Sequence, residues 1–137
     1  MRRPSAPSPR EPASAAPLAL PPSVDPGRVE ILRELGNRVG QDVLAELIWR
    51  YVEEAPERLR AVAAAAERGD RAQARSLAHG LKGVSSNLGA TAIASLLEGL
   101  GRSLGGESDV APLLVGLAAE LARTVEELRR LAASAAG

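Results

Sequence analysis

Residues 77–90 read LAHGLKGVSSNLGA and hold the one histidine of a 137-residue chain. Lys82 follows His79 by three positions and Gly83 by four, the spacings that become surface neighbours on a helix. A neutral imidazole carries an unprotonated ring nitrogen that can act as a nucleophile. A catalytic triad would need an orienting carboxylate on the same face, and the helix around His79 supplies none. A protein-bound metal would need more ligands than one histidine without cysteine provides. What remains is an imidazole beside a lysine. The lysine can balance the charge of a phosphoryl group on that imidazole through charge-assisted hydrogen bonds, and Ser86 can add a hydroxyl donor. The arrangement fits a phosphohistidine.

The rest of the chain is compatible with this chemistry. Lys plus Arg number 17 and Asp plus Glu also 17, which argues against a nucleic-acid binder with its basic excess on one face. There is no cysteine, so disulfides, thiolate zinc sites and cysteine nucleophiles are excluded. No apolar run approaches the roughly 18–20 residues that cross a bilayer. With one Trp, one Tyr and no Phe, the core has to be built from Leu, Val, Ile and Ala. Those residues, with Leu and Ala prominent, suit closely packed helices better than strands. Residues 1–23, rich in Pro, Ser and Ala without apolar periodicity, are expected to be a disordered tail or linker. Their apolar stretch LAL is too short for the core of an export signal, so a cytoplasmic protein is expected, with residues 24–134 as its domain.

Helical periodicity runs from Val24 onward. Asp25 and Pro26 open a short first helix as N-cap and first residue, with Ile31, Leu32 and Leu35 as its expected buried stripe and Gly36 as its end. A long second segment carries Val43, Leu44, Leu47, Ile48, Tyr51, Val52, Leu59 and Val62 at helical spacing. A kink or a fresh start is expected near Pro56, and an end at Gly69. Asp70 caps the next helix, with Gln73 in capping-box position, and Gly89 suits its left-handed C-terminal cap. A fourth segment places Ile93, Leu96, Leu97, Leu100 and Leu104 on one face. After the loop GGESD, a last helix from about Pro112 to Ala133 is expected to bury Leu114, Leu117, Leu121, Val125 and Leu128. Long amphipathic helices joined by short loops predict an all-α fold, an antiparallel up-down-up-down four-helix bundle with the short first helix capping one end.

The helical wheel decides where His79 points. With about 100° per residue and His79 at zero, Leu77, Leu81, Val84 and Leu88 fall at about 160°, 200°, 140° and 180°. That stripe is the expected buried face, so the imidazole points away from the core. Ala72, Arg75, Lys82, Gly83 and Ser86 lie within about 60° of it. Gly80 and Gly83 each cost roughly 1 kcal/mol of helix propensity relative to alanine. Small residues beside the imidazole would let another molecule approach closely.

The stretch AHGLKGVSSNLGA resembles the signature of histidine-containing phosphotransfer (HPt) domains, roughly A-H-x-L-K-G-x-S-x-x-x-G-A. The match covers Ala78, His79, Leu81, Lys82, Gly83, Ser85, Gly89 and Ala90. LIWRYVEEAPERL looks like the family's second helix and RGDRAQARSLAH like the run into its histidine, so the similarity spans about residues 25–131. Tyr51 stands where the family often has Phe, and Gly80 is an additional small residue. The resemblance implies a helical bundle that carries phosphoryl groups in a multistep phosphorelay. His79 would be the phosphoacceptor, its Nε2 attacking a receiver's aspartyl phosphate. Lys82 would steady the phosphoryl charge, Gly83 would leave room for the docking receiver, and Ser86, Arg75 and Ala72 would belong to the docking face. Such domains have no ATP site or cofactor of their own, and the Mg²⁺ of transfer is held by the receiver. The implied partners are response-regulator receiver domains, a hybrid histidine kinase, or both, with the chain expected to be a monomer. Two alternatives are a domain phosphorylated by a chemotaxis-type kinase core and a non-catalytic helical adaptor.

Overall fold

The computed structural model describes residues 23–40 and 42–136, and among these every regular element is a helix. Residues 1–22 of the expected tail lie outside the described residues. The helices are α1 (Pro26–Val39), α2 (Val43–Glu67), α3 (Arg71–Leu88), α4 (Thr91–Leu104) and α5 (Ala111–Ala136). Helix α2 packs against α3 and α5, and α4 against the same two, so the four long helices enclose one core. Helix α1 leans on α2.

Local chemistry sets the helix ends. Asp25, Asp42 and Asp70 each accept a backbone N–H of the first turn, from Gly27, Ala45 and Gln73 respectively, at 3.0–3.1 Å. These bonds satisfy donors that a helix start leaves orphaned. Gly40 and Gly89 close α1 and α3 in the left-handed conformation, at φ 72° and 88°. After Gly89, the Ala90 N–H donates to Ser85 O at 2.8 Å, a wrapped helix end that glycine permits. The last carbonyls of α4 find another partner. Arg71, the first residue of α3, donates to Leu104 O at 3.2 Å and Ser103 O at 2.7 Å.

The core is aliphatic, with Ile48, Val62, Leu81, Ile93, Leu97, Leu100, Leu117 and Leu128 at its centre, each at most 1% exposed. Among the described residues three buried ones are polar, and each is satisfied. Thr124 Oγ1 donates to Glu120 O at 2.8 Å, Ser85 Oγ shares a 2.7 Å bond with the Tyr51 hydroxyl, and Ser23 bonds the Glu120 and Glu127 carboxylates. Burial pushes the Tyr51 phenol above its usual range, and the Ser85 bond partly offsets the rise.

Several expectations need correction. Ile31 and Leu35 are exposed, at 57% and 43%. The buried side of α1 is Val29, Leu32 and Gly36, because α1 leans on the bundle chiefly through α2. Gly36 lies inside α1, which runs on to Val39. Helix α2 continues through Pro56 without a new start. The ring removes one N–H from the ladder, but Val52, Ala55 and Leu59 are all buried and hold both sides in one helix. Leu96 is 38% exposed while its neighbour Leu97 is buried. Helix α5 is longer than expected, from Ala111 to Ala136, and Leu114 and Val125 are half-buried.

Candidate functional site

Helix α3 carries His79 and is held at both ends. Arg71 binds its start to the end of α4. At the other end, the Asp25 N–H donates to Gly89 O at 2.7 Å and Arg28 Nε donates to Asn87 O at 2.7 Å. Between these fastenings the inner face of α3 is Ala74, Ala78, Leu81, Ser85 and Leu88. Leu77 and Val84 are half-buried. Relative to His79 those five residues centre near 220° at about 100° per residue, so the buried face is turned by roughly 50° from the expected Leu77–Val84 stripe. His79 remains exposed. Among the described residues its imidazole has no hydrogen-bond or ion-pair partner.

The imidazole opens onto a groove of about 180 Å³ between α3 and α4, lined by Arg75, His79, Lys82, Leu97, Glu98, Gly101 and Arg102. Lys82 is half-buried and its Nζ lies 4.0 Å from Glu98 Oε1. Arg102 Nη1 lies 3.6 Å from Glu98 Oε2, one helical turn along α4. The Arg75 guanidinium runs beside the backbone of Gly105 at the end of α4, where an added Cβ would meet its Nη1 at 3.5 Å. The groove is therefore a strip of three cations and one carboxylate beside a single imidazole. Leu97 forms its apolar floor.

Of the residues singled out from sequence, the structure brings Arg75, His79 and Lys82 into this groove. Ala72, Gly83 and Ser86 are exposed and do not line it. Their surface is flat at the glycines: a Cβ added to Gly80 or Gly83 would meet nothing within 4 Å. Glu98, Gly101 and Arg102 were missed, because a wheel drawn for α3 cannot see a neighbouring helix. Their available signal was the i,i+4 spacing of Glu98 and Arg102 on the outer face of α4. Among the described residues no three His, Cys, Asp or Glu side chains cluster to hold a metal ion, and no helix is long and apolar enough to cross a membrane.

An all-helical fold with an open, unpartnered imidazole on a helix flanked by cations describes a phosphoryl carrier, and the comparison with known families agrees. The Hpt domain family model matches residues 46–133, from the first turn of α2 to near the end of α5. The chain belongs to the Hpt domain family and has a histidine phosphotransfer role in a phosphorelay. Among solved structures it is similar to histidine-containing phosphotransfer protein B (HptB) from Pseudomonas aeruginosa PAO1. The two share 31% sequence identity and a TM-score of 0.72, over 82% of this chain and 96% of that one. No curated protein matches the chain.

Proposed function

We propose that His79 is the phosphoacceptor, passing a phosphoryl group between response-regulator receiver domains or taking it from a hybrid histidine kinase. One observation carries the assignment: a member of a histidine phosphotransfer family has a single histidine, and that histidine is exposed and unpartnered on α3. In the forward step an imidazole nitrogen lone pair attacks phosphorus. The bond to the receiver's aspartyl oxygen breaks, and the carboxylate leaves with the bonding electrons. Lys82 lies three residues from His79, where its ammonium can meet a phosphoryl oxygen. Gly83, Ser86 and Ala72 form the low outer surface on which the receiver seats, with Arg75 at its edge. The chain needs no cofactor of its own, and the Mg²⁺ of transfer belongs to the receiver, so no residue here is assigned to it.

The bundle that carries this face is read as up-down-up-down. Consecutive helices α2 to α5 are joined by connections of only two to six residues, which supports antiparallel packing of chain neighbours. The domain is read as residues 24–134 and residues 1–23 as a tail or linker, of which Ser23 is already buried against Glu120 and Glu127. The protein is read as cytoplasmic, monomeric and without affinity for nucleic acid or membranes.

The test is incubation with a phosphorylated receiver, followed by assay for acid-labile label on this chain. Label is expected on the wild type and none on His79→Gln. Label on His79→Gln, or none on the wild type with any receiver or with ATP and a cognate kinase core, removes the assignment.

A further inference from the structure

The charges around the groove are arranged in an unexpected way for a site that stores a dianion. Arg75 and Lys82 on α3 and Arg102 on α4 would each attract a phosphoryl group on His79, but Glu98 stands among them and would repel it. Glu98 touches two of the three, Lys82 at 4.0 Å and Arg102 at 3.6 Å, and its side chain is 56% exposed. Contacts so long and so wet contribute little to folding. Stability does not explain why a carboxylate sits here.

From this we infer that Glu98 is a stand-in anion: a positioning residue that engages Lys82 and Arg102 while His79 is unmodified and competes for them once it is phosphorylated. The inference rests on the reading of His79 as phosphoacceptor. The two carboxylate oxygens of Glu98 each hold one cation, from α3 and from α4, so both cations are kept at the groove in the resting protein. On phosphorylation the same two cations turn to the phosphoryl oxygens, and Glu98 is left beside a like charge. That repulsion raises the energy of the loaded state without touching the unloaded one, which poises the phosphoryl group for departure. In donation, the P–N bond breaks as a carboxylate oxygen of the receiver's aspartate bonds to phosphorus. The electron pair stays on the imidazole, whose other ring nitrogen keeps its proton. Lys82 and Arg102 then return to Glu98.

The experiment uses the full chain phosphorylated with phosphoramidate, a small phosphoryl donor that needs no docking surface. The titration of the phosphohistidine is followed by phosphorus NMR in wild type, Glu98→Gln and Arg102→Gln. Removing the Glu98 charge is expected to lower the titration midpoint of the phosphoryl group by about half a pH unit, and removing Arg102 to raise it by a similar amount. Both displacements should shrink between ~0.05 M and ~0.5 M salt as the charges are screened. Glu98→Asp should stay near the wild type. At equilibrium with a phosphorylated receiver, Glu98→Gln should hold about two- to fivefold more phosphoryl group than the wild type. If labelled wild type and Glu98→Gln titrate alike, the stand-in role is wrong while the phosphoacceptor stands. If the wild type takes no label that His79→Gln lacks, both fall together.

Discussion

Replacing the glycines beside His79 separates what the helix needs from what a partner needs. Gly80 and Gly83 both lie inside α3 with helical backbone, and both are exposed. A Cβ at either position meets no atom within 4 Å, so alanine there collides with nothing and only restricts the unfolded chain. Each of Gly80→Ala and Gly83→Ala should therefore stabilise the protein by about 1 kcal/mol, the propensity difference at an exposed helix interior. For a domain of this size that is a rise of about 3–6 °C in Tm, and the double replacement should approach twice the single value.

Function divides the same two positions. Gly83 lies about 40° from His79 around the helix and Gly80 about 100°. A glutamine at position 83 projects over the turn that presents the imidazole, whereas one at position 80 projects to its side. We expect Gly83→Gln to be at least as stable as the wild type by thermal unfolding, to accept phosphate from phosphoramidate at the normal rate, and to accept it from a phosphorylated receiver at least ~10-fold more slowly, a loss of about 1.4 kcal/mol in the transfer complex. Normal receiver-dependent transfer by Gly83→Gln would refute the idea that the bare surface exists for a partner. A Gly83→Ala protein no more stable than the wild type would refute the claim that the glycine costs the fold anything.

Three further outcomes follow from the packing. Gly89→Ala should lose about 2–3 kcal/mol by chemical denaturation, because the residue sits at φ 88° and a Cβ there would lie 2.8 Å from the Arg28 Cβ of α1. Ser85→Ala should cost about 1–3 kcal/mol, since it strands the buried Tyr51 hydroxyl without its 2.7 Å partner; an unchanged midpoint would mean the hydroxyl finds another acceptor. Burial raises the folded-state pKa of Tyr51 above the usual 10.0, so from that pH upward the unfolded chain releases a proton that the folded one keeps, and stability falls with rising pH. As Tyr51 is the one tyrosine in the chain, phenolate absorbance should appear together with the loss of helical circular dichroism, and ionisation without unfolding would contradict the burial.

The helix ends that were legible in the sequence are those set by residues within one turn. Asp25 and Asp70 cap through bonds spanning two or three positions, and Gly89 closes α3 through its own backbone freedom; Asp42 caps α2 in the same way but was not singled out from the sequence. The faces were legible only as far as large apolar side chains mark them. Ala74 and Ala78 lie on the inner side of α3, where their small size admits close helix packing and gives a hydrophobic pattern little weight. Ser85 is hidden for another reason: its burial depends on a hydroxyl 34 positions away in α2. Ile31 and Leu35 failed in the opposite sense. They have the spacing of a core stripe, but α1 packs mainly on one neighbour, α2, so Ile31, Leu35 and Val39 stay outside. The groove beside His79 is a property of two helices together, and α4's share of it was not in the α3 pattern at all.

These differences bear on why His79 can stay unpartnered. An exposed imidazole on a glycine-weakened turn would be poorly placed if α3 depended on that turn for its position. It does not: α3 is held through Arg71 to the α4 terminus, through Asn87 and Gly89 to the start of α1 and through Ser85 to Tyr51 of α2, and its core contacts lie on the opposite face. The middle of the outer face is therefore released from structural duty. A group can be added to the imidazole, or the imidazole replaced, without disturbing a bond that holds the bundle. The same separation makes His79→Gln a clean control, because what it removes is a reactive nitrogen and no packing or hydrogen bond of the fold.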